Sequence, residues 1–118
     1  MEIKNEKYHD KLKKLMDNFV NQVYDKTQRF PKAEIFGVVS QDRRCALSIV
    51  LNYIEGYARR RKLVLKNFLE ISYGSAKEAK YLTYFANKRG YISDVEYKTL
   101  SQEIDQISKL LWGIIVKL

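Results

Sequence analysis

Proline occurs once in the 118 residues, at Pro31, and glycine only five times. So few chain breakers argue against a fold of many short strands and favour long helices. Cysteine is also single. Cys45 cannot close an intrachain disulfide, which fits a reducing, cytoplasmic compartment. Histidine is limited to His9, so no Cys/His cluster for zinc can be assembled. Neither Glu55 nor Glu78 has a histidine three residues later, which excludes the inward-facing Glu-x-x-His pairs of a di-iron bundle. No glycine-rich loop leads into a Lys-Ser or Lys-Thr pair, and no histidine follows an arginine. Cys45 sits in an apolar run that raises a thiol's pKa, so Cys45 and a distant His9 make no nucleophile pair. These gaps lead to the expectation of a non-enzyme with no cofactor and no metal. Nor does any apolar stretch reach the roughly 18 residues a membrane span requires. The opening Met1-Glu2-Ile3-Lys4 does not read as a signal peptide.

What the chain does hold is charge and grease. Hydrophobic residues make up 46% and charged residues 31%, a globular balance, and the length fits one domain over residues 1–118. Basic residues outnumber acidic ones by 22 to 14, giving +8 and a pI near 9.5. That excess points to an anionic partner. Nucleic acid comes first, with an acidic protein or membrane surface behind it.

Four helices are predicted. The first runs from about Glu6 to Gln28, with Tyr8, Leu12, Leu15, Phe19 and Val23 on one face. Pro31 ends it, and Gly37 permits a tight turn. Ser40 then reads as the N-cap of a second helix to about Arg60. From Cys45 to Ile54 this helix carries no charge, and Ser48 and Asn52 are its only polar side chains there. It is apolar on every side, so in a small protein one flank should be covered by another copy of the chain. The third helix spans about Lys62 to Lys88, with Val64, Phe68, Ile71, Ser75, Glu78, Leu82 and Phe85 as its predicted inner stripe. Gly74 in mid-stripe reads as a close helix approach, and Gly90 as a left-handed stop. Ser93-Asp94-Val95-Glu96 is a capping box. Tyr97, Leu100, Ile104, Ile107, Leu111, Ile114 and Leu118 follow it at bundle-seam spacing. The expected fold is all-α, an antiparallel up-down-up-down four-helix bundle.

Two sets of polar residues remain. Asn52, Glu55, Ser75 and Glu78 fall at or near seam positions and are expected to form a structural polar layer that fixes register. A buried carboxylate there would need partners such as Arg43, Arg44 or a tyrosine hydroxyl. The basic set is Lys32, Arg43 and Arg44 near the first connection, and Arg59, Arg60, Arg61, Lys62 and Lys66 around the second. In an up-down bundle these form two patches at opposite ends. They read either as solvated helix caps or as phosphate contacts that carry no base sequence information. The nine tyrosines are read as core or interface in preference to base-stacking platforms.

The spacing of these residues resembles the 23S ribosomal RNA intervening-sequence protein family. The shared pattern is Phe30-Pro31-Lys32-x-Glu34-x-Phe36-Gly37, then Ser40-Gln41-x-Arg43-Arg44-x-Ala46-x-Ser48-Ile49, then Asn52-x-x-Glu55-Gly56. It continues through Phe68-Leu69, Gly74-Ser75-x-x-Glu78 and Gly90-x-Ile92. Cys45, Val50-Leu51 and Tyr53 depart from it. The resemblance implies a four-helix bundle that assembles as a homo-oligomer, with a pentamer favoured, and that binds nucleic acid, with RNA favoured. A similar bundle is the accessory protein of diversity-generating retroelements, whose further partner is a reverse transcriptase. A protein-interaction scaffold without nucleic-acid binding is the third alternative.

Overall fold

A computed structural model describes residues 3–118. Met1 and Glu2, on which part of the signal-peptide reading rests, lie outside the described residues. Four α-helices carry the chain: α1 (Ile3–Thr27), α2 (Ser40–Ala58), α3 (Lys62–Lys88) and α4 (Asp94–Ile115). Among the described residues there is no strand. The cross-helix pairs set the directions. Tyr8 meets Leu110 while Arg29 meets Glu96, so α4 runs against α1. Arg43 meets Thr27 while Tyr53 meets His9, so α2 also runs against α1. Cys45 meets Ser75 while Arg59 lies over Phe68, and Lys80 meets Asp105 while Tyr73 packs on Trp112. The expected antiparallel up-down-up-down order follows.

Each helix end has a local cause. Gly90 adopts φ 76°, the left-handed conformation, and the Tyr91 amide returns to the Ala86 carbonyl at 2.8 Å, closing α3 as expected. The capping box of α4 is present: the Glu96 amide donates to Ser93 Oγ at 3.1 Å and the Ser93 amide to Glu96 Oε1 at 2.9 Å. The start of α2 differs from the expectation. Ser40 has helical angles and is not the cap. The chain first makes a 3-10 turn at Lys32–Glu34 and a wider turn at Ile35–Val39, broken at Gly37 (φ −107°, ψ −114°). Glu34 then accepts from the Val38 amide and from the Tyr91 hydroxyl, tying this turn to the α3–α4 connection. A carboxylate six residues upstream thus caps the preceding turn, and α2 itself has no side-chain cap. Gly37 has to be small for this, because a Cβ there would lie 2.7 Å from Glu34 Oε1.

The core is built unevenly. Leu12, Met16, Phe19 and Val23 of α1 and Leu100, Ile104, Ile107, Leu111 and Ile115 of α4 supply the bulk. The predicted stripe of α3 is turned by about one residue. Its buried face is Leu69, Ser72, Ser75, Ala76, Ala79, Thr83 and Ala86, whereas Ile71 and Glu78 are exposed and Leu82 and Phe85 are half-buried. Small side chains let α2 come close. Ser72 Oγ donates to the Ile49 carbonyl at 2.6 Å, and Cys45 Sγ to the Ser75 carbonyl at 2.9 Å. The close approach falls at Gly56, where a Cβ would meet Leu65 and Phe68 at 3.1 Å, and not at Gly74, which faces open space.

Candidate nucleic-acid interface

The expected polar layer forms only in part. Ser75 is buried and shares a 2.8 Å hydrogen bond with Ser48, and Asn52 donates to the Ser48 hydroxyl and carbonyl at 2.9 Å. Glu78 is exposed, and Glu55 is half-exposed in an i,i+4 ion pair with Arg59 at 2.9 Å. Helical spacing explains the difference. With Ser72 and Ser75 turned inward, Glu78 rotates past the α2–α3 seam toward solvent. The two carboxylates are therefore no part of a buried layer within one chain.

The buried carboxylate is one the sequence reading passed over. Asp42 is 5% exposed, and its Oδ1 has no hydrogen-bond partner. Burial pushes its carboxyl up to about 7. It lies in a small void among Thr27, Phe30, Thr83 and Ile92 beside Lys26. A carboxylate between two apolar-facing turns gives no periodic signal, so spacing alone could not find it.

Cys45 is chemically quiet. Burial, followed by the charges of Glu78 and Asp42, pushes its thiol up to about 12. His9 contacts the Tyr53 hydroxyl, and its pKa is lowered by burial and then by Lys13. Tyr8, whose ring packs edge-on against His9 at 5.8 Å between centroids, donates to the Leu110 carbonyl at 2.5 Å and leaves room only for glycine at position 113. These aromatic groups join the start of α1 to the ends of α2 and α4. Among the described residues no group of three or more His, Cys, Asp or Glu could hold a metal ion, and no helix is long and apolar enough to cross a membrane.

The cations divide as α2 divides them. Arg43 and Arg44 lie in its first two turns and Arg59 just past its end, separated by sixteen residues or roughly 24 Å of helix. At the first end Arg43 is held firmly. Its Nε donates to Thr27 Oγ1 at 2.8 Å, Nη2 to the Tyr24 carbonyl at 3.3 Å, and its guanidinium lies 4.6 Å from the Tyr24 ring centre. Arg44 and Lys32 are exposed and have no ion-pair partner among the described residues. At the other end Arg59, Arg60 and Arg61 form an exposed three-residue connection, and Lys62 opens α3. Of this cluster, among the described residues, only Arg59 forms an ion pair; it also lies over Phe68. Lys66 is half-buried at its edge.

An all-α bundle with two separated, largely unpaired basic ends defines a class of small basic helical-bundle proteins. The 23S rRNA-intervening sequence protein model matches residues 10–113, and the chain belongs to that family. Among solved structures it is similar to a protein of unknown function of the S23 ribosomal protein family from Bacteroides thetaiotaomicron. The identity is 22%, the TM-score 0.83, and the match covers 92% of this chain and 97% of the other. No curated protein matches the chain.

Proposed function

We propose that the chain is a non-catalytic, oligomeric bundle protein that binds nucleic acid, RNA in preference, through lysine and arginine at both ends of α2. The observation that carries this reading is the unpaired cluster Arg60, Arg61, Lys62 and Lys66. Four cations crowd one connection, and no carboxylate lies within ion-pairing distance of any of them among the described residues. Structural helix caps call for one or two such charges. Holding four together costs repulsion that an anionic ligand would relieve. The family's description as a ribosomal-RNA intervening-sequence protein supports RNA over an acidic protein.

Assembly belongs to the same reading. Leu51 and Ile54 of α2 are 56% and 57% exposed, and Ile71 and Tyr81 of α3 are exposed as well. Gly74 leaves the α3 backbone open between Ile71 and Tyr81. Large apolar side chains exposed on the outside of two neighbouring helices suit burial against another copy. A ring of copies, the pentamer favoured by the resemblance, would repeat every basic patch and multiply weak phosphate contacts. Electrophoretic retardation tests the binding. The wild type should retard structured RNA at low salt, and a variant with glutamine at 59, 60 and 61 should retard it far less while keeping its mass. Equal retardation by both proteins would leave the cluster as a helix cap.

A further inference from the structure

The connection between α1 and α2 encloses more than its basic charge requires. The 3-10 turn and the wider turn after it arch over the end of α1 and leave an open cavity of about 690 Å³. That is within the range of pockets that hold small organic ligands. Its lining is unusual for so charged a protein. It contains Lys32, Arg43 and Arg44 and no carboxylate. The acids that could have neutralised it are occupied or withdrawn. Glu34 is held by the Val38 amide and the Tyr91 hydroxyl, and Asp42 is buried on the other side of its helix turn. At the rim stands Phe36, 97% exposed, the most exposed large apolar side chain among the described residues.

A ring this exposed offers a free π-face, and the cations that line the same cavity set the chemistry of what would cover it. An apolar helix would bring no charge for Lys32 and Arg44. A free phosphate or a duplex backbone would leave the ring bare. One ligand class offers a flat π-face and a negative charge a few ångströms apart: a nucleotide whose base is not paired.

We infer that this cavity is a binding site for one unpaired nucleotide of a single-stranded nucleic acid, with the base stacked on Phe36 and its phosphate held by Lys32 and Arg44. Arg43 is already fixed by Thr27 and Tyr24, so it contributes a stationary positive wall and loses little freedom on binding. The turn itself is braced through Glu34, which presents Phe36 outward without help from the ligand. The inference rests on the nucleic-acid reading above and adds a strand preference to it. Phosphate contact alone, as at the cluster around Arg59–Lys66, does not distinguish single strands from duplexes.

Fluorescence anisotropy separates these cases. The probes are a labelled single strand of about 20 nucleotides, longer than the roughly 4–16 that one stacking module covers, and a blunt duplex of the same length. Phe36→Ala should weaken single-strand binding by about tenfold, the loss expected of one stacked base. Duplex binding and the sedimentation mass should stay at their wild-type values. Lys32→Gln with Arg44→Gln should weaken both probes. A 2-aminopurine in the strand should lose fluorescence on binding to wild type and keep it with Phe36→Ala. Phe36 buries almost nothing within one chain, so its removal leaves no void to unfold the protein. If Phe36→Ala binds the single strand as wild type does, the pocket assignment fails while the nucleic-acid reading stands. If the variant loses mass, Phe36 is a contact between copies and the assignment fails. If wild type binds neither probe, both readings fail together.

Discussion

Asp42 costs the fold stability at neutral pH. Its carboxyl titrates near 7 when buried and near 3.8 when exposed. The folded protein therefore holds a proton that the unfolded chain has released. Stability is complete below pH 4 and is lost as pH rises from about 4 to about 7. At about 1.36 kcal/mol per pH unit, the cost is bounded at roughly 4 kcal/mol. Asp42→Asn removes the titration with little change in volume. Thermal unfolding should show the variant more stable than wild type at pH 8, with the gain shrinking steadily to nothing near pH 4. A gain that is constant with pH would mean that Asp42 is ionised in the folded state. Glycines at this scale give a second contrast. Gly37→Ala must push on the Glu34 carboxylate, and Gly56→Ala on Leu65 and Phe68, whereas Gly74→Ala meets nothing within one chain. The first two should lower Tm. Gly74→Ala should leave the folded monomer unharmed or gain up to about 1 kcal/mol of helix propensity.

The helices divide into those whose ends and faces were legible and those whose were not. The limits of α3, the Gly90 stop, the capping box and the seam of α4 from Leu100 to Leu111 all follow from short-range chemistry, and the structure has them. Past Leu111 the buried residue is Ile115, Ile114 and Leu118 are half-buried, and the helix ends at Ile115 and not at Leu118. Ser93→Ala should cost about 1 kcal/mol by releasing the Glu96 amide. Glu96 adds to this end by pairing with Arg29 at 2.5 Å, and its carboxyl is held below the usual range by the Ser93 amide before any other cause. Chemical denaturation checks the figure, and a silent substitution would mean the box is frayed in solution. Two features were not legible, for physical reasons. The face of α3 was assigned from its large apolar residues, but a helix packed close to α2 buries its small ones. Ser72, Ala76 and Ala79 mark that face, and they carry little weight in a hydrophobic pattern. Ser40 offers the nearest hydroxyl at the start of α2, but α2 has no side-chain cap; Glu34 caps the turn before it, and two irregular turns that no period describes lead into the helix. The basic residues were legible as a set. Their division between a fixed Arg43 and free Lys32 and Arg44 depends on Thr27 and Tyr24, which lie sixteen to nineteen residues earlier in the chain.

On the scale of the whole molecule, large apolar side chains lie exposed and two ends are basic, and the two properties call for different partners. Under the proposed function the exposed apolar residues are covered by a second copy. Leu51→Glu or Ile54→Glu introduces a charge at an exposed site and should leave the helical content intact while reducing the mass in light scattering. A monomeric wild type at micromolar concentration would contradict this account of α2. The basic ends call for phosphate, and the salt dependence of binding measures that directly. For single strands the slope of log K against log salt is about −0.7 per phosphate neutralised. With six or more phosphates engaged across an assembly, the wild type should fall with a slope of about −4 or steeper between roughly 50 and 200 mM salt. Replacing Arg59, Arg60 and Arg61 by glutamine should flatten that slope and weaken different sequences alike. A wild-type slope near zero, or one unchanged by the triple substitution, would contradict the claim that these cations bind a nucleic-acid backbone.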